Sequence, residues 1–310
     1  MKSKLKLTLV LCVSILWGCS NDDNITIDLP VSENEIITIP VVIHVINNIE
    51  RPFNISDAKI RSQIDVLNQD FRKKNPDHQK TPDEFKPFIA DVGIEFKITT
   101  KDPSGNPTSG IIRTESTVTG FHGMSGVGSD IPVEELPLYF DDQGGQNAWP
   151  SDNYLNIWIA DMTDRLGNIP LPGYANPVNA DPRMDGVVID PRVFGTIEPL
   201  LSGHKLGRTV THEIGHWLNL IHIFAGQTSC ETSDLVDDTP TQYSSYGGHP
   251  QYPQSSCGSN DMHMNFMDYV NDDSMYMFTK GQKQRMRNVF YPDNPRRALY
   301  LNISKLSTSS

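Results

Sequence analysis

The chain has 310 residues, a formal net charge of −12 and 37% hydrophobic residues. An acidic surface of this kind repels phosphate backbones and anionic headgroups, which argues against a nucleic-acid partner and against electrostatic adhesion to a membrane. The apolar fraction and length suffice for one large or two small domains whose core needs no metal staple.

Lys2, Lys4 and Lys6 precede an apolar stretch from Leu7 to Trp17. It is too short to span a bilayer but suits a secretory h-region, so residues 1–18 read as a signal peptide and the chain as exported. Leu16-Trp17-Gly18-Cys19 resembles a bacterial lipobox, in which cleavage before the cysteine leaves Cys19 lipid-modified. The following Ser20-Asn21-Asp22-Asp23 resembles the acidic signal that takes some bacterial lipoproteins to the outer face of the cell. The expectation is an outer-membrane or cell-surface lipoprotein, with plain secretion as the alternative. Processing removes Cys12 and lipidation occupies Cys19, so Cys230 and Cys257 remain as a pair, to be bridged in an oxidising compartment.

Residues 19–35 are polar and read as a tether or short prosegment. The β-branched run 36–46 predicts a mostly buried strand, with Pro40 at a bulge or an edge. Ser56 can cap a following helix whose Ile60, Ile64, Leu67 and Phe71 form a core-facing stripe. Further strands are expected at 93–100, 111–116, 154–160 and 186–190, and a strand–helix–strand order implies an α/β sheet, largely open. A helix begins near Gly207. Residues 224–276 are rich in Gly, Pro, Ser, Asn and Asp without periodicity and read as loops held by the disulfide and by ions. Thr279 and Gln282 have capping-box spacing ahead of Met286, Val289 and Phe290, which marks a closing helix.

Residues 212–222 read HEIGHWLNLIH. On a helix, His212 and His216 stand roughly 40° apart on one face, close enough to share a metal ion. Glu213 lies beside them. Such a carboxylate can take a proton from a water that a metal has acidified, which is the chemistry of peptide hydrolysis. Were the helix to continue, His222 would lie roughly 15 Å along the axis from His212 and about 80° round from it. The helix must therefore stop first, and Asn219, tolerant of positive φ, is placed to turn it. Three histidines with a free glutamate leave a coordination position open, as a catalytic zinc requires and a structural zinc does not. A chain that only bound a partner on the same fold would have no need of Glu213.

The zinc segment GRTVTHEIGHWLNLIH (207–222) occurs together with AWPSDNYLNIWI (148–159), GYANP (173–177), DGVVID (185–190), DLVDDTP (234–240), NFMDY (265–269) and the paired cysteines. In this combination the chain resembles the pappalysin family of metzincin metallopeptidases, in its bacterial cytophagalysin and ulilysin-like branch. The resemblance covers most of residues 36–300 and implies a metzincin-like α/β (α+β) domain over 36–305. A twisted mixed sheet, a backing helix and the active-site helix would form an upper subdomain (36–219), and an irregular lower one (220–305) would carry the closing helix. It further implies His212, His216 and His222 as zinc ligands, Glu213 as general base, and Met267 as the methionine of the turn under the metal. Tyr269 would stand beside the metal, able to steady an oxyanion. The segment 233–239, with Asp234 and Thr239, looks like a calcium loop. Asp272 and Asp273 follow the methionine turn where the pocket for the residue after the scissile bond is formed. Asp273 matches the family position best, so cleavage before Arg or Lys is expected. The chain is expected to act as a monomer on protein or peptide substrates.

Overall fold

The computed structural model describes residues 31–121, 131–163, 171–226 and 228–308. The expected signal peptide, Cys19 and most of the tether lie outside the described residues. In chain order the principal elements are β1 (Ile37–Asn48), α1 (Asp57–Asp70), β2 (Ile94–Ile98), β3 (Ile111–Ser116), β4 (Leu155–Ile159), β5 (Gly173–Ala175), β6 (Gly186–Ile189) and α2 (Arg208–Trp217). After α2 come four two-residue strands, β7 (Gly247–Gly248), β8 (Ser255–Ser256), β9 (Ser259–Asn260) and β10 (Tyr269–Val270), then α3 (Lys280–Asn288) and α4 (Arg297–Thr308).

The sheet runs β2-β1-β4-β6-β5, with β3 also pairing β1. All its pairings are parallel except that of β5 with β6. β1 holds β2 against its first half and β3 against its second. Pro40 fits for a local reason. Ile37 N donates to Gly93 O and Thr99 N to Val41 O, so the odd-numbered residues of β1 face β2. The Pro40 nitrogen therefore faces the other side, where β4 begins only opposite Val41. The strand is interior, but at Pro40 it has a local edge, and no ladder bond is lost.

Ile37, Ile39, Val41, Ile43 and Val45 bury one face of β1 in the main core, together with Ile60, Ile64, Leu67 and Phe71 of the α1 stripe. Ser56 caps α1 by accepting from Lys59 N. Burying those four side chains stabilises by roughly 6–12 kcal/mol as an upper bound. α2 lies against the same face through Val210, Ile214 and Trp217. The opposite face carries a second cluster with Ile46, Tyr139, Trp158 and Val188.

Beyond α2 the backbone is irregular, as the composition of 224–276 suggests, and the expected Cys230–Cys257 disulfide is formed with a Cα–Cα distance of 5.4 Å. α3 begins with the reciprocal Thr279–Gln282 capping box. α4 has no counterpart among the elements expected from sequence. Its Leu299 enters the main core and Tyr300 Oη donates to Glu35, so the chain end returns to the start of β1. Phe266, Met267, Met286 and Phe290 join the same core, which residues 36–219 and 220–305 therefore share.

Candidate active site

The metal helix is fixed at both ends. At its start Gly207 is left-handed, φ 73°, and a Cβ there would lie 2.8 Å from Gln63 Oε1. Gln63, on α1, donates to Gly207 O and accepts from Gly195 N. At its end Asn219 takes φ 72°. Asn219 N donates to His216 O at 2.8 Å and Leu220 N to Gly215 O at 2.9 Å, the bond pair of a Schellman C-cap. The helix stops where the sequence required, and the reversal brings His222 back beside His216.

The three imidazoles converge. Nε2 of His216 lies 3.0 Å from that of His212 and 2.9 Å from that of His222, and the third separation is 3.2 Å. His212 Nδ1 donates to Phe266 O at 2.7 Å and His216 Nδ1 to Leu220 O at 2.9 Å. A carbonyl only accepts, so the protons of His212 and His216 sit on Nδ1 and their Nε2 lone pairs point into the triad. Burial depresses the pKa of all three histidines, His222 to about 3, which keeps the rings neutral. Three neutral rings whose Nε2 atoms converge in this way fit a cation about 2 Å from each nitrogen, the usual zinc–imidazole distance. Among the described residues this is the one group of three or more His, Cys, Asp or Glu side chains close enough to hold a metal ion.

Glu213 is buried beside the triad, and burial pushes its carboxyl up to about 8 against the opposing hydrogen bond from the Ala175 backbone. That bond comes from the edge strand β5. Asp190 N donates to Pro172 O and Asn176 N to Gly186 O, so the peptide groups of Gly173 and Ala175 between them face away from β6. Tyr269 stands across the site, its ring centroid 4.8 Å from that of His222 and 5.6 Å from that of His212. Burial, then the charges of Glu213 and Asp268, raise its phenol to about 12, which keeps it protonated as a donor. Met267 is fully buried against α2, where a Cβ on Gly215 would lie 2.6 Å from its Sδ. The three histidines, Glu213, Ala175 and Tyr269 line a cleft of about 770 Å³ that also includes Pro172, Tyr174 and Asp272.

The structure thus gathers His212, Glu213, His216, His222, Met267 and Tyr269 at one place. Asp234 and Thr239 form a separate cluster, with Thr239 Oγ1 at 2.9 and 2.8 Å from the two Asp234 oxygens. Asp273 does not line the cleft. Its side chain is 57% exposed and lies 3.0 Å from His249 Nδ1. Asp272 is buried, lines the cleft, and accepts from Leu206 N and Arg208 N at the start of α2. Cys19 lies outside the described residues. Sequence reasoning missed β5 with its Ala175 contact to Glu213, the carbonyls of Phe266 and Leu220, and the need for glycine at 215. Only the last left a signal, a glycine inside a helix.

A three-histidine site on a helix that ends in a left-handed turn, with a glutamate beside it and a cleft along an edge strand, defines a metallopeptidase. Residues 139–291 match the M43 peptidase family model described as pregnancy-associated plasma protein-A. Among solved structures, mature mirolysin of Tannerella forsythia in complex with a cleaved peptide superposes with a TM-score of 0.77 and 40% identity, covering 88% of this chain and 98% of that one. An extracellular metalloprotease of Verticillium alfalfae is 29% identical over 265 residues, 82% of this chain and 78% of the relative. One of Arthroderma benhamiae is 29% identical over 258 residues, 81% and 76%. The chain belongs to the pappalysin family of metzincin metallopeptidases and is a metalloendopeptidase.

Proposed function

We propose that this is an exported zinc endopeptidase in which Glu213 acts as general base and Tyr269 as hydrogen-bond donor to the developing oxyanion. The observation that carries the reading is the convergence of three neutral Nε2 atoms within 3.2 Å, with the Glu213 carboxylate buried beside them in an open cleft. Zinc held by His212, His216 and His222 would acidify a water and polarise a peptide carbonyl. Glu213 takes the proton of the attacking water and passes it to the leaving amine. The Ala175 N–H steers the carboxylate. Tyr269, protonated and 53% exposed at the mouth, reaches the carbonyl oxygen as it gains charge.

Among the described residues β5 is the end strand of the sheet, which supports binding of an extended peptide alongside it, lying between residues 36–219 above and 220–305 below. A monomer suffices, since every group in this scheme comes from one chain. The preference for Arg or Lys after the scissile bond rests on Asp272 in the cleft lining and Asp273 next to it. Calcium at the 233–239 loop is supported by crowding. Thr239 has one hydroxyl hydrogen, yet its oxygen lies within 2.9 Å of both Asp234 oxygens and of Val236 O, an oxygen cluster suited to a hard cation.

Export is supported by the amino-terminal pattern and by the extracellular naming of the fungal relatives. Anchoring rests on Cys19 alone, and Cys19→Ala is expected to release the protein from the membrane fraction. Unchanged fractionation would remove the lipobox reading. The catalytic reading is tested by incubating the mature protein with casein, with and without a chelator. Cleavage that stops with the chelator and returns with zinc is expected. Absence of zinc-dependent cleavage would overturn the proposal.

A further inference from the structure

We propose that Arg285, on α3, is a positioning residue for the metal site, holding the left-handed turn between the second and third histidine ligands. This rests on the zinc reading of the triad. The turn depends on Asn219, whose φ of 72° costs a residue with a Cβ more than it would cost glycine. Three of the hydrogen bonds around it are internal to the helix end and the loop. Asn219 N donates to His216 O, Leu220 N to Gly215 O, and His216 Nδ1 to Leu220 O. The Asn219 carbonyl is taken from outside, by Arg285 Nε at 2.6 Å, and Nη2 of the same guanidinium lies 3.5 Å from Asn219 Oδ1.

The guanidinium therefore grips the peptide group between Asn219 and Leu220, one peptide before the carbonyl that sets the tautomer of His216. On the other side of that carbonyl the chain runs straight to His222.

Arg285 itself stands on a firm base. Thr279 Oγ1 and Gly281 N, at the start of α3, both donate to Asp238. Gln282 exchanges two hydrogen bonds with Asn265, whose Oδ1 also accepts from Met267 N in the turn under the metal. The charge of Asp234 favours the guanidinium against the cost of its burial. α3 is thus tied to the methionine turn, the acidic loop and the ligand turn together. A sequence with glycine at 219 would hold the reversal without strain; with asparagine, a charged donor on the carbonyl keeps one geometry. Side chains that orient metal ligands at one remove commonly change metal affinity by about 10–100-fold when replaced.

The test is zinc affinity, measured by competition with a chromophoric chelator, in Arg285→Ala, Arg285→Lys, Asn219→Gly and the double variant Asn219→Gly/Arg285→Ala. Arg287→Ala is the control. Arg287 neighbours Arg285 on α3 but donates to Val92 O, Gly93 O and Ser32 O, far from the turn in sequence and in function. Arg285→Ala is expected to bind zinc at least about tenfold more weakly. Arg285→Lys, which keeps the charge but not the fork, is expected to fall between it and the parent. Asn219→Gly is expected to recover most of the loss in the double variant, and Arg287→Ala to melt lower with unchanged zinc affinity. Parent-like affinity in Arg285→Ala, an equal loss in Arg287→Ala, or no recovery by Asn219→Gly would each overturn the proposal. If Arg285→Ala does not fold, Arg285→Lys with and without Asn219→Gly is judged by the same criteria. Failure of the parent chain to bind zinc would instead strike the zinc reading.

Discussion

Gly215→Ala sets two physical rules against each other. In an exposed helix, replacing glycine by alanine gains about 1 kcal/mol, because the unfolded chain loses freedom and the helix is a better match. At position 215 the added methyl would lie 2.6 Å from Met267 Sδ and 3.5 Å from Leu220 Cδ1. The first distance is well inside van der Waals contact. Met267 is fully buried with Phe266 beside it, so its sulfur has no space to enter without moving its neighbours. Overpacking of this kind costs about 1–3 kcal/mol. The net expectation is a loss of about 0–2 kcal/mol, or up to roughly 8 °C in Tm for a domain of this size. Because Met267 follows the carbonyl that holds His212, zinc affinity is expected to fall as well. Urea denaturation of the metal-free protein and chelator competition on the zinc-loaded protein read the two effects separately. A variant stabilised by about 1 kcal/mol would refute the close packing of the methionine turn on α2.

His44 is buried, stacked on Trp158 and bonded to Asn156, and burial depresses it to about 4. A depressed pKa means stability that is complete above the unfolded value near 6.5 and lost as pH falls through 4, about 3 kcal/mol in all. His44→Phe is expected to flatten the urea stability of the metal-free protein over that window relative to the parent, and parallel pH profiles would contradict it. Asp234→Ala is expected to abolish calcium-dependent thermal stabilisation, as followed by melting with and without calcium; no calcium effect in the parent would remove the loop as a site. In a peptide library the parent is expected to cut before Arg or Lys. Asp273→Ala with a lost preference assigns it to the exposed carboxylate, retention there with loss in Asp272→Asn assigns it to the buried one, and apolar residues dominating after the cut in the parent would eliminate both.

The metal triad was legible because its signal is local. Three histidines and a turn residue lie within eleven positions, and helical geometry alone requires the reversal that φ 72° at Asn219 supplies. The α1 stripe and the Thr279–Gln282 capping box were legible for the same reason. β5 was not, since three residues hold no period, and its role comes from backbone groups that any sequence possesses. The carbonyls of Phe266 and Leu220 are silent in sequence on the same ground. Asp272 and Asp273 are chemically identical neighbours, and only the fold turns one inward to the start of α2 and the other outward to His249. The closing helix was read only from Thr279 to Phe290, so α4 went unread, and its packing on β1 is a contact between the two ends of the described chain.

The proposed mechanism divides the labour between Glu213, which moves the proton, and the three histidines, which hold the metal. Metal content and casein turnover measured on the same preparation of Glu213→Ala test that division. Zinc bound at the parent stoichiometry with turnover reduced by at least about 10²–10⁴-fold is the predicted result. Near-parent turnover in the zinc-loaded variant would contradict it, and so would loss of the zinc itself.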